Sequence, residues 1–101
     1  MTNEAPTIAD RPERHRYELS LDGHVAAHIV YRMRGDDVID LVHTEVEPAH
    51  EGQGLASKIA KFALDDARSR GLKVIPSCEY IAAWIGKHPD YRDLVARAVE
   101  P

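Results

Sequence analysis

The residues that could do chemistry in this sequence are a His/Glu pair, a lone thiol and a glycine turn. His43 and Glu45 stand two positions apart in an apolar stretch, so an extended strand puts them on one face. An imidazole or a carboxylate there can take a proton from an amine; the plainer reading is a solvated polar sheet face. Cys78, the only cysteine, follows Ser77 at an expected helix start. It could accept an acyl group transiently, line a thiol pocket, or serve as a small buried hydrophobe. A helix N-terminus lowers a thiol pKa, and the neighbouring Glu79 opposes that effect. Gly52 and Gly54 lie between a strand through Val46, ended by Pro48, and a helix beginning near Leu55. Amides at a helix N-terminus lack intrahelical partners and together carry roughly half a positive charge, so such a turn can cradle a phosphate. It can equally be a connection shaped by glycine with no ligand.

Positioning these groups requires a strand, a turn and two helices. Arg16 to Leu21 and His24 to Met33 alternate, and Asp22-Gly23 between them is a hairpin signal, because both positions tolerate positive φ. Gly35-Asp36 makes a second turn before Asp37 to Glu47, which reads as a longer strand. The result is a three-stranded antiparallel meander. After Gly54 the period changes: Leu55, Ile59, Phe62, Ala63 and Ala67 fall on one helical face, and Gly71 suits the position just past the helix end. Lys73-Val74-Ile75 is a short strand stopped by Pro76, with Ser77 as the expected N-cap of a second helix whose face is Ile81, Trp84, Ile85 and His88. Trp84 belongs to the core on this reading. Pro89 starts a last short helical segment through Tyr91, Leu94 and Val95. The class is therefore α+β with a mixed sheet. Residues 1–14 show no periodicity and read as a flexible tail, leaving 15–101 as one domain.

The chain of 101 residues has room for one core, 44% of it apolar and 30% charged. A formal charge of -4 without clustered Lys and Arg argues against nucleic acid and anionic membranes as partners. One cysteine excludes an internal disulfide, and with no long apolar run or signal-like start the expected location is cytoplasmic. His15, His24, His28 and His50 show no metal-ligand spacing, so no metal is expected. The oligomeric state is open.

Two familiar phosphate loops fail against the turn. No Gly-Lys-Ser/Thr exists for a nucleoside triphosphate loop, and Ser57 occupies the third glycine of a dinucleotide fingerprint. The turn instead resembles the acyl-CoA-binding pattern Arg/Gln-x-x-Gly-x-Gly/Ala of the GCN5-related N-acetyltransferase superfamily, reading Glu51-Gly52-Gln53-Gly54-Leu55-Ala56 here. Glu51 departs from it, standing where Arg or Gln is expected. Together with His43-Thr44-x-Val46, Pro76-Ser77-Cys78-x-Tyr80 and His88-Pro89-x-Tyr91, the segment from His24 to Val95 is similar to the small acetyltransferase-like branch of that superfamily.

The resemblance implies a compact acetyltransferase fold that binds acetyl-CoA and transfers its acyl group to an amine acceptor not identified by sequence. It implies that backbone amides of Gln53, Gly54, Leu55, Ala56 and Ser57 meet the CoA diphosphate. The strand edge at Glu45, Val46 and Glu47 would pair with the pantetheine arm, splayed from the strand at Lys73 to Ile75. Tyr80 could protonate the departing thiolate, as a tyrosine often does in the superfamily. An amine must be neutral to attack: a lysine is neutral about once in 2,500 at pH 7, a cost of roughly 4.6 kcal/mol, against about 1.4 for an α-amine. His43 or Glu45 as base, or a relay through Cys78, are the catalytic options. The alternative is a non-catalytic module that keeps the fold and binds an acyl-CoA or a protein partner.

Overall fold

The computed structural model describes residues 5–96; residues 1–4 and 97–101, the outer ends of the expected tail and domain, lie outside them. Five strands form one mixed sheet in the order β1-β2-β3-β4-β5: β1 Thr7–Arg11, β2 Arg16–Leu21, β3 His24–Arg34, β4 Val38–Val46 and β5 Lys73–Ile75. The first four pair antiparallel, and β5 runs parallel to β4. Helix α1 spans Leu55–Ser69 and α2 spans Glu79–Lys87. A 3₁₀ segment, Pro89–Leu94, follows α2 where a short helix is expected.

The expected tail is in part a strand. Thr7–Arg11 pairs residue for residue with Ser20–Arg16, making the meander four-stranded rather than three-stranded. Apolar alternation misses β1 because it is an edge strand with one large apolar residue, Ile8, against the core. What fixes it is polar: Asp10 accepts a 2.6 Å hydrogen bond from the Tyr31 hydroxyl.

The Asp22-Gly23 turn has positive φ at both residues, 53° and 82°, the backbone that a tight two-residue hairpin demands. In α1, Ile59, Ala60, Ala63, Leu64 and Ala67 are buried; the three alanines let the helix axis approach the sheet residues Tyr17, Leu19, Ile29 and Leu41. Gly71, at φ 70°, ends α1 in a Schellman motif, with Leu72 N–H donating to Ala67 O at 2.8 Å and Gly71 N–H to Arg68 O at 3.1 Å. The Tyr17 hydroxyl donates to Asp66 at 2.7 Å and clamps α1 to β2 from within the core.

A register shift in β4 governs the site. Leu41 lies opposite Tyr31 and His43 opposite Val30, so Val42 is an extra residue, a β-bulge. Ile39 and Leu41 point into the core before it, and Thr44 and Val46 take the helix-facing side after it, because one inserted residue reverses the alternation.

Candidate functional site

β4 and β5 pair only over Val38–Asp40 and Lys73–Ile75. Pro76 cannot donate to a ladder, and the last backbone link across the gap is Cys78 N–H to Leu41 O at 2.9 Å. Past Leu41 the β5-side edge of β4 has no strand partner among the described residues. A cleft of about 320 Å³ opens there, between Thr44 and Val46 of β4, the turn from His50 to Ser57, and Tyr80 of α2.

Backbone conformation makes the floor of this cleft polar. Gly52 and Gly54 have φ of 84° and 78°, and a Cβ at either would meet nothing within 4 Å, so their backbone faces open space. Gly54 is the N-cap of α1, its carbonyl accepting from Lys58 N–H at 3.2 Å, and no side chain caps the helix. The amides of Leu55, Ala56 and Ser57 precede that first intrahelical bond and stand at the positive end of a 15-residue helix. Gly54, Leu55, Ala56 and Ser57 all line the cleft, as does Val46. Gln53 does not line it; its side-chain Oε1 meets His50 Nδ1 at 3.4 Å. The Ser57 hydroxyl accepts from Trp84 Nε1 at 2.8 Å, and Trp84 is buried, in agreement with its expected place in the core. His88 stacks on Trp84 with ring centres 3.6 Å apart.

Cys78, 8% exposed, is itself the N-cap of α2, one residue later than the expected Ser77. Its Sγ is 3.3 Å from Thr44 Oγ1, which joins it to the cleft wall. His43 and Glu45 are placed differently from the sequence expectation of a pair beside the cofactor edge. They do share a face, but the bulge turns it away from the cleft that Thr44 and Val46 line, and their side chains are 60% and 62% exposed on the far side of the sheet. His43 Nε2 is 3.7 Å from Glu45 Oε1.

A residue that sequence reasoning missed completes that group. His28 lies opposite Glu45 in the β3–β4 register, its Nε2 3.7 Å from the same carboxylate oxygen. Burial pushes its imidazole pKa below the usual value, with Arg16 beside it acting in the same direction and Glu45 opposing. Arg16, His28 and Glu45 border a second cleft of about 290 Å³, which shares Val46 with the first. The signal for His28 was its place in an alternating strand, yet its partner could be identified only once the bulge had set the register.

A second convergence was not legible in the sequence, where no Cys or carboxylate is seen to complete a site with the histidines. Glu47 stands between His24 and His50, at 3.3 Å and 3.9 Å from their Nε2 atoms.

Comparison with known proteins identifies the family and the fold. The family model of the GCN5-related N-acetyltransferases matches residues 16–94, and the chain belongs to that family, whose chemistry is acyl transfer. Among curated proteins, mouse Protein NATD1 is 36% identical over 78 residues, covering 76% of this chain and 71% of its own. Zebrafish Protein NATD1 is 33% identical over 86 residues, covering 82% and 78%. Among solved structures, a GCN5-like protein from Staphylococcus aureus superimposes with a TM-score of 0.69 at 25% identity, over 93% of this chain and 91% of that one. The ribosomal-protein-S18-alanine N-acetyltransferase from Escherichia coli superimposes with a TM-score of 0.59 at 21% identity, over 76% and 52%, and shares the fold. None of the described helices is long and apolar enough to cross a membrane.

Proposed function

We propose that the protein is an acetyl-CoA-dependent N-acyltransferase acting on an amine. The observation that carries this is the meeting, in one cleft, of an uncapped helix N-terminus with a strand edge that has lost its partner. The amides of Gly54, Leu55, Ala56 and Ser57 bind the CoA diphosphate, since a helix N-terminus favours a doubly charged anion at close approach. The pantetheine arm lies along β4 past Leu41 and adds the backbone bonds that β5 no longer supplies. Its thioester ends near Thr44, Cys78 and Tyr80, where the Tyr80 hydroxyl can give a proton to the departing thiolate.

The acceptor amine approaches through the gap from the far face of β4. There Glu45, flanked by His28 and His43, takes its proton as the nitrogen attacks the thioester carbonyl. The new C–N bond forms, the C–S bond breaks, and CoA leaves as the thiol. A second reading, an acyl relay through Cys78, is favoured by the 3.3 Å contact between its thiol and Thr44 on the cleft wall.

Thermal unfolding with and without acetyl-CoA tests the binding step. A rise in melting temperature that grows with ligand concentration is expected, and an unchanged curve at about millimolar ligand sinks the proposal. Intact mass after incubation with acetyl-CoA separates the two routes. Direct transfer leaves the mass unchanged, whereas a relay adds about 42 Da, an acetyl group replacing hydrogen, and loses that adduct in Cys78→Ser.

A further inference from the structure

We propose that His24, Glu47 and His50 form a binding site for a divalent transition cation of the Zn²⁺ type, on the outer wall of the cleft. Among the described residues, theirs is the group of three metal-ligating side chains whose donor atoms all come within 4.8 Å of one another. Glu47 Oε1 is 3.3 Å from His24 Nε2 and 3.9 Å from His50 Nε2. Bonds of about 2.0–2.2 Å in a tetrahedron put neighbouring donors roughly 3.4 Å apart, so the first pair already has the spacing and the second needs only a small closure.

The contacts around the group orient its side chains. His50 Nδ1 lies 3.4 Å from Gln53 Oε1, while its Nε2 is turned toward Glu47. Fixing the outer nitrogen of a ligating imidazole by an oxygen acceptor is also how metal sites orient their histidines. The supports are rigid: Glu47 N–H donates to Ala26 O at 2.9 Å and His50 N–H to Glu47 O at 2.8 Å, while His24 follows directly on the tight Asp22-Gly23 turn. The two imidazole rings lie 5.7 Å apart.

Two imidazoles and one carboxylate suit a borderline cation of the zinc, cobalt or nickel kind, whereas Mg²⁺ and Ca²⁺ want oxygen donors throughout. Three protein ligands leave at least one coordination position for water or another donor. His50 and Glu51 both line the cleft and Glu47 closely precedes them in sequence, so the cation would stand beside both carboxylates. Its charge would offset theirs toward any anion bound at the α1 amides. The metal site itself does not depend on the acyl-CoA reading, and its test contains no CoA.

Calorimetric titration of Zn²⁺ into tag-free protein, in a non-chelating buffer, tests it. One saturable site per chain is expected. His24→Ala, Glu47→Ala and His50→Ala should each weaken it about tenfold or more, while His43→Ala leaves it unchanged. Co²⁺ should give visible absorption that the same three substitutions abolish. Far-UV circular dichroism checks each fold, and the milder His24→Asn, on an exposed hairpin, stands in for a variant that unfolds. The site is refuted if no saturable binding occurs at about a hundredfold excess of Zn²⁺. It is equally refuted if binding survives all three substitutions, or is lost in His43→Ala or Cys78→Ser instead.

Discussion

Trp84 Nε1 donates a 2.8 Å hydrogen bond to Ser57 Oγ and so ties the middle of α2 to the first turn of α1. The Ser57 side chain is thereby committed to holding the helices together, and only its backbone amide is left for a ligand. Ser57→Ala leaves a buried indole N–H without a partner, which costs about 1–2 kcal/mol. A melting temperature lower by several degrees is expected, together with an acetyl-CoA affinity that falls less than about tenfold because the amide survives.

Gly54 separates conformational strain from ligand binding. Its φ of 78° disfavours any side chain, yet a Cβ there meets nothing within 4 Å. Gly54→Ala should therefore cost about 1–2 kcal/mol by strain alone and retain an acetyl-CoA-induced rise in melting temperature. Gly54→Asp tolerates the left-handed backbone better but sets a carboxylate at the helix N-terminus. Its fold should persist while the ligand-induced rise disappears. Retention of the full rise would remove the diphosphate from this turn.

Catalysis by the far-face group has its own signature. Glu45→Gln keeps the shape of the side chain and removes its basicity, so turnover should drop by about 10²–10⁴-fold with the acetyl-CoA affinity little changed. Release of free thiol from acetyl-CoA, followed across a panel of α-amine and lysine acceptors, measures this. Binding without turnover on any acceptor would instead favour the non-catalytic module.

Stability at alkaline pH reports the clamp between Tyr17 and Asp66. Burial, and then the 2.7 Å bond to Asp66, raise the Tyr17 phenol well above its ordinary pKa near 10. The unfolded chain therefore releases this proton first as pH rises. The clamp contributes fully below about pH 10 and is lost progressively above it. Urea unfolding between about pH 8 and 11 should show stability falling with pH. Tyr17→Phe should flatten part of that slope, with Tyr31 and Tyr91 also contributing, since the Tyr31 phenol is raised by burial and by Asp10 and the Tyr91 phenol by its bond to Asp65.

The α+β class, the Asp22-Gly23 hairpin, the α1 face and the glycine turn were legible because each is a local signal. Positive φ, a helical period and a Pro stop operate within a few residues, and they leave their mark in residue type. β1 was not legible: as an edge strand it is held by backbone pairing and by Asp10–Tyr31, neither of which needs an apolar alternation. Cys78 as N-cap was displaced by one residue from the expected Ser77, because its N–H is fixed by Leu41 O on a strand far away in sequence.

By itself, then, the sequence determined the elements from β2 onward and placed a glycine turn between β4 and α1. Only the tertiary structure decided which residues meet. Plain alternation from Ile39 and Leu41 would carry His43 and Glu45 to the helix-facing side of β4. The bulge at Val42 reverses that phase, bringing Thr44 and Val46 to the cleft and sending His43 and Glu45 to the far face beside His28. A side-chain period of two makes one inserted residue enough to exchange the two faces of a strand. That insertion shows itself only in the pairing with β3, which is set by contacts across the sheet and not by neighbours along the chain.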